Sequence, residues 1–203
     1  EHGGETFCVP ETYGAREVSL YSAEDFPRNW TKKATLIPDF PGVDSTVFPF
    51  NGRWWLLCTD FGPGTSDRLY VWYAPDLMGP WKPHAANPVK QDLASARPGG
   101  TPFVYKGELY RPAQDCSRTY GGRIIINRIR RLTPAEFEEE PVGSVEPPRE
   151  TPYRAGLHTL SAVGDWTLVD GKHFTFSKDA FNREAQSEAE IWTRSASRFL
   201  RRS

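Results

Sequence analysis

Between residues 43 and 58 the chain alternates apolar and polar side chains in two runs. Val43, Thr46 and Phe48 lead up to Asn51-Gly52, and Trp54 to Cys58 lead away from it. Asn-Gly between such runs predicts a β-hairpin, because both residues tolerate the positive φ of a type I′ turn. The pattern returns at residues 101–110, where Thr101, Phe103, Gly107 and Tyr110 match Thr46, Phe48, Gly52 and Trp55. A second motif also recurs: Ala23, Asp25 and Trp30 in the run from Leu20 match Ala74, Asp76 and Trp81 in the run from Val71. A repeat of about fifty residues, each unit holding a hairpin, a further strand and a closing Trp, is the signature of a four-stranded β-propeller blade. Blade faces must stack on one another, which explains aromatic residues at fixed blade positions.

The repeat predicts an all-β propeller over residues 1–178. A partial first blade covers 1–40, with its second strand ending at Val9-Pro10-Glu11 and its third at residues 17–22, so that its first strand would lie before residue 1. Complete blades cover about 43–81 and 97–132, and a last partial blade covers about 156–178 with a turn at Gly164-Asp165. The acidic stretch 138–152, with Pro141, Pro147, Pro148 and Pro152, reads as a surface connection. Over 179–203, Ala185, Ala189, Trp192, Ala196, Phe199 and Leu200 fall at helical spacing. Glutamates come early and arginines late, predicting a C-terminal amphipathic helix.

Composition agrees with this class. The 203 residues suit one domain, and 18 Pro, 17 Gly and 13% aromatic residues favour turns and strands over long helices. A net charge of -1 supplies no basic field for a nucleic-acid backbone, so nucleic acid is not an expected partner. No apolar run reaches the roughly 18 residues of a membrane span, and the first residues lack the charged and apolar regions of a signal peptide. Cys8, Cys58 and Cys116 lack zinc-site spacing; buried free thiols are the reading, with a Cys8–Cys58 disulfide as its alternative.

In a propeller the innermost strands converge on the central channel, and Asp44, Arg97 and His158 each open such a strand. Asp44 is either a turn-capping aspartate or a catalytic or substrate-binding carboxylate. Arg97 is either its structural partner or a clamp for an anionic group. His158 is a hydrogen-bonded channel histidine, a metal ligand or a proton shuttle. The alignment places Glu11 level with Gln114, as an exposed rim carboxylate or a second working one. In the polar stretch 111–121, Gln114 and Asp115 suit sugar hydroxyls and Tyr120 suits a sugar's apolar face, unless they only stabilise a turn. There is no Gly-rich phosphate loop, no nucleophile elbow and no zinc-protease motif.

The runs Val9-Pro-Glu11, Asp44-Ser-Thr-Val-Phe48, Ala96-Arg-Pro-Gly99, Arg111-Pro-Ala-Gln-Asp-Cys-Ser117 and His158-Thr159 resemble the propeller at the N-terminus of plant glucosamine inositolphosphorylceramide transferases and their bacterial relatives. That domain is similar in turn to the five-bladed propellers of glycoside hydrolase family 43. The resemblance implies a five-bladed propeller, here lacking its N-terminal part, that handles a carbohydrate or glycolipid headgroup. In those hydrolases the base comes from the first blade, which would lie before residue 1 here; the catalytic reading takes Asp44 as acid or pKa modulator and Glu11 as second carboxylate, since glycoside hydrolysis needs a pair. Arg97, Gln114, Asp115, Tyr120 and His158 would bind substrate, and His158 would stand beside a calcium or sodium ion at the axis. Asp44 takes the place of the hydrolases' Glu acid. The alternatives are a sugar-binding module without turnover and a scaffold propeller attached to a glycosyltransferase or another enzyme.

Overall fold

The computed structural model describes residues 1–163 and 165–175. The helix expected over 179–203 and the Gly164 position of the last turn lie outside them. The described residues form four antiparallel sheets, all within the unit Glu1–Lys172. The first holds β1 (Phe7–Cys8), β2 (Val18–Asp25) and β3 (Arg28–Ile37) in that order. The second holds β4 (Gly42–Phe50), β5 (Arg53–Asp60), β6 (Arg68–Ala74) and β7 (Lys82–Pro83), with β8 (Lys90–Gln91) also pairing β6. β9 (Phe103–Tyr105), β10 (Glu108–Asp115), β11 (Arg123–Leu132) and β12 (Phe137–Val145) make the third, and β13 (Leu160–Val163) with β14 (Trp166–Val169) the fourth. The only helical element among the described residues is a single 3-10 turn, Tyr13–Ala15.

The repeated hairpins close as the turn chemistry requires. Asn51 and Gly52 have φ of 49° and 71°, and Lys106 and Gly107 have 50° and 82°. Both pairs therefore occupy the left-handed region that a type I′ turn demands. The repeated Trp also plays one part twice: Trp30 Nε1 donates to Pro27 O at 3.0 Å and Trp81 Nε1 to Leu77 O at 3.2 Å. Thr46 and Thr101, which match in the repeat, meet through their hydroxyls at 3.1 Å, so the two blades face each other along their inner strands.

Packing explains the unbroken apolar run in β5. Leu56 and Cys58 join Val18, Leu20, Leu36 and Ile37 of the first sheet, while Trp55 and Leu57 join Leu109 and Ile129 of the third, together with Ala96 from the segment before it. Side chains alternate across a strand, so a sheet covered on both faces needs apolar residues at every position. Blade stacking of this kind is the propeller arrangement that the repeat predicted. The cysteines are free thiols; Cys58 is fully buried, and that burial pushes its thiol pKa up.

One stretch departs from the expectation. Residues 138–145 are not a loop but most of β12, the outer strand of the third sheet. Its acidic residues are matched by basic ones on and beside β11: Glu140 takes Arg128 at 2.6 Å and Arg130 at 2.8 Å, and Glu136 takes Arg131 at 2.9 Å. A charge run that looks solvated is here a cross-strand ladder on an edge, where charges also discourage pairing with other chains. Pro141 sits at a register shift opposite Asn127, where an edge strand tolerates the missing N–H. β3 is likewise a charged outer strand that the apolar pattern did not reveal.

Candidate functional site

Asp44 occupies an irregular point of its strand. β4 shifts register against β5 between Val43 and Thr46, and Asp44 within that bulge has φ 51°. A non-glycine residue in left-handed backbone inside a strand is strained, and such positions concentrate at functional sites. The bulge aims the carboxylate at two donors. Oδ2 accepts from Arg97 Nε at 2.6 Å and from Gln114 Nε2 at 3.0 Å. The Asp44 backbone N–H reaches Glu11 Oε1 at 3.3 Å.

Around this pair the other predicted residues assemble. Arg97 also donates through Nη1 to Thr65 O at 3.4 Å, and its guanidinium lies 4.6 Å from the Tyr120 ring centroid. Tyr120 in turn stands 5.5 Å from the His158 imidazole, ring to ring. Burial, then the Asp44 charge, raises the Tyr120 phenol pKa against the opposing influence of Arg97, so its hydroxyl stays a donor at neutral pH. Gln114 Nε2 donates to Pro98 O at 2.8 Å as well, which fixes the amide's orientation and leaves Oε1 buried without a partner among the described residues. Asp44 on β4 and Gln114 on β10 are thus joined by Glu11, Arg97, Tyr120 and His158 from the segments that flank the strands.

Close backbone approaches hold His158 in place. Leu160 N–H donates to Gly99 O at 2.8 Å, and a Cβ on Gly100 would stand 1.9 Å from Leu160 O. His158 Nδ1 contacts Asp170 Oδ2, while Asp170 Oδ1 accepts the backbone N–H groups of His158 at 2.9 Å and Thr159 at 2.8 Å. Burial alone would raise the Asp170 pKa, but these N–H donors and the imidazole outweigh it and hold the carboxyl below its usual range. The carboxylate fixes the ring's orientation, leaving Nε2 for a ligand. Asp170 was not found in the sequence, although a signal existed. In the β13–β14 register Leu160 faces Val169, so Thr159 faces Asp170, and counting outward from the turn would have paired them.

Asp115 is not brought to this cluster. It follows Gln114 in β10 and so points to the other face, where Oδ2 meets Arg123 Nε at 2.8 Å and Oδ1 takes the Ser117 hydroxyl at 2.5 Å. For an axial ion, a hard cation takes six or more oxygens. The described residues contain no group of three His, Cys, Asp or Glu able to hold a metal, so an ion beside His158 would take its oxygens mostly from water. No helix among them is long and apolar enough to cross a membrane.

A family model described as the N-terminal region of glucosamine inositolphosphorylceramide transferase 1 matches residues 1–151. The chain belongs to this family. The rice (Oryza sativa subsp. japonica) glucosamine inositolphosphorylceramide transferase 1 is 40% identical over 147 residues, 70% of this chain and 20% of the relative. The Arabidopsis thaliana protein of the same name is 35% identical over 196 residues, 90% of this chain and 25% of its own. This chain therefore spans a fifth to a quarter of these relatives' length. Among solved structures, the Phanerochaete chrysosporium exo-β-1,3-galactanase in complex with β-1,3-galactotriose matches with a TM-score of 0.58 at 14% identity, over 86% of this chain and 42% of that one. Bacteroides ovatus xyloglucan PUL GH43B matches with a TM-score of 0.57 at 16% identity, over 83% of this chain and 34% of that one. At such identities the likeness establishes the fold, an all-β propeller of the type found in glycoside hydrolase family 43.

Proposed function

We propose that this chain is a sugar-recognising propeller that binds a glycan or glycolipid headgroup at the Glu11–Asp44–Arg97–Gln114–Tyr120–His158 cluster, beside the transferase activity named in its relatives. The observation that carries the proposal is the double acceptance at Asp44 Oδ2, from Arg97 and Gln114. Two N–H bonds to Oδ2 fix the orientation of the carboxyl group and leave Oδ1 directed as an acceptor for a sugar hydroxyl. Tyr120 adds a ring face and a phenol, and His158 Nε2 adds a polar contact. Flat apolar and directional polar groups together suit a pyranose or a cyclitol. The relatives' name joins glucosamine to an inositol-containing lipid, so aminosugars and inositol glycosides are the ligands to try first. The reading includes a propeller of the five-bladed type, of which residues 1–178 form part as one domain.

Glycoside hydrolysis is the second reading, favoured by the contact of the Glu11 carboxylate with the Asp44 backbone N–H, which brings a second carboxyl-bearing residue to the site. One experiment separates the two: calorimetric titration of the protein with a panel of neutral, amino and inositol-linked saccharides, run beside an assay for released reducing sugar. Saturable binding of one class without release is the expected result. Release that disappears in Asp44→Asn would replace recognition by hydrolysis, and absence of binding across the panel would overturn both.

A further inference from the structure

The loop that carries Tyr120 also lines a cavity of about 390 Å³, in which Tyr120 takes no part. Its wall includes Arg118, Arg123 and Arg154 together with Asp115, Glu146 and Thr119. Arg123 consumes both acids, with Nε on Asp115 at 2.8 Å and Nη1 on Glu146 at 2.9 Å. Serines take up further acceptor capacity: the Ser117 N–H reaches Asp115 Oδ1 at 3.0 Å, and Ser144 Oγ reaches Glu146 Oε1 at 2.9 Å. Burial would raise the Asp115 pKa, but Ser117 and Arg123 reverse this. Glu146 is lowered first by Arg123 and then by Ser144, so both remain carboxylates committed to these partners.

Arg118 and Arg154 have no such balance. Neither guanidinium has a hydrogen bond or an ion pair among the described residues, and both face the same concavity. A third cation stands next to them, since Lys172 Nζ donates to the Thr119 hydroxyl at 3.2 Å and to Tyr120 O. Like charges gathered in a concave site with its acids already spent raise the local potential for an anion. Planar guanidinium forks suit phosphate oxygens, and two forks plus a hydroxyl provide more donors than a two-oxygen carboxylate can use.

We propose that this cavity binds a phosphate ester through Arg118, Arg154 and the Thr119 hydroxyl. The volume exceeds that of phosphate alone and lies in the range of small-molecule sites, so the ligand carries an organic group such as a polyol or sugar. The phosphate can belong to a soluble sugar phosphate or to the phosphodiester of a lipid headgroup. The site is separate from the saccharide cluster and does not depend on it.

The test is titration of the protein at constant ionic strength with inorganic phosphate, with glucose 6-phosphate, and with phosphatidylcholine vesicles with and without phosphatidylinositol. Tighter binding of the soluble ester would identify a sugar phosphate, and retention on the phosphatidylinositol vesicles alone a headgroup. Arg118→Gln and Arg154→Gln should each weaken the favoured ligand about tenfold, as loss of a charge-assisted pair implies. Arg130→Gln, which removes a cation paired to Glu140 on the outer strand, should not change it. Equal weakening by all three variants would reduce the effect to general charge and overturn the site, as would unaltered binding in the Arg118/Arg154 double variant. Saccharide binding is read separately, so failure of either proposal is seen apart from the other.

Discussion

Replacing Arg111 by Ala should lower the melting temperature at neutral pH by on the order of 10 °C, the equivalent of roughly 3 to 5 kcal/mol for a buried charge left unpaired. The Arg111 side chain is 1% exposed and that of Glu139 2%. Their contact is bidentate, with Nε on Oε2 at 2.8 Å and Nη2 on Oε1 at 2.5 Å, and Lys90 Nζ joins Oε1 at 2.7 Å. Arg111 also donates to Ser95 O at 2.6 Å and Ala96 O at 3.1 Å, so it ties β12 to the turn that delivers Arg97. Burial by itself would raise the Glu139 pKa, but Arg111 and then Lys90 outweigh it and hold the carboxyl below its ordinary range. A carboxyl held lower in the folded than in the unfolded chain stabilises fully above its unfolded value of about 4.3, and the gain fades as pH falls through the folded value. The difference between wild type and Arg111→Ala should therefore narrow below about pH 4. Joint replacement, Arg111→Met with Glu139→Leu, should recover much of the loss because no buried charge is stranded. Thermal melts of the three proteins at pH 7 and at about pH 3 decide it, and coincident wild-type and Arg111→Ala melts at pH 7 would refute the structural role of the pair.

Gly100→Ala should be among the most damaging single methyl additions at the described glycines. Gly100 has φ 134°, where side chains are rarely tolerated, and the added Cβ would meet a backbone oxygen that cannot swing aside. Relief requires the β13–β14 hairpin to retreat, which breaks the Leu160 N–H bond to Gly99 O and carries His158 away from Tyr120. A loss of at least about 2 kcal/mol is expected. Amide exchange should show faster exchange at Leu160 ahead of the rest of the fold. Gly107→Asn is the control: its φ is 82° with nothing within 4 Å of the added carbon, and Asn tolerates that region, so stability should hardly change. Equal effects of the two substitutions would remove the claim that this approach anchors His158.

How far the sequence carried the reading depended on which physical signal each feature leaves. Turn chemistry and period-two patterning are local, so the two Asn-Gly-like hairpins and the sandwiched β5 could be read directly. Repeat alignment then gave positions in space, because equivalent blade positions converge on one axis; that is why Asp44, Arg97 and Gln114 meet despite their separation in the chain, with His158 reached through Tyr120. Signals that depend on register were lost. Asp170 meets His158 only through the pairing of β13 with β14, and Gln114 and Asp115 part company because adjacent strand residues face opposite sides. Outer strands were hidden for another reason: β12 is held by charge ladders and by the buried Glu139, leaving no apolar alternation to detect. The bulge at Asp44 was also invisible, since backbone strain has no fixed sequence signature.

Asp44 holds both Arg97 and Gln114, and Asn is the substitution that isolates its charge. Asn keeps the shape and tolerates the left-handed backbone at this position, while the carboxylate that holds Arg97 is removed. The decisive measurement is the affinity of the best saccharide from the panel for wild type and Asp44→Asn, with the fold of each checked by circular dichroism. A loss of at least about tenfold in a folded variant is expected, as for a charge-assisted contact left unmade. Unchanged affinity would contradict the claim that this cluster is where the sugar binds.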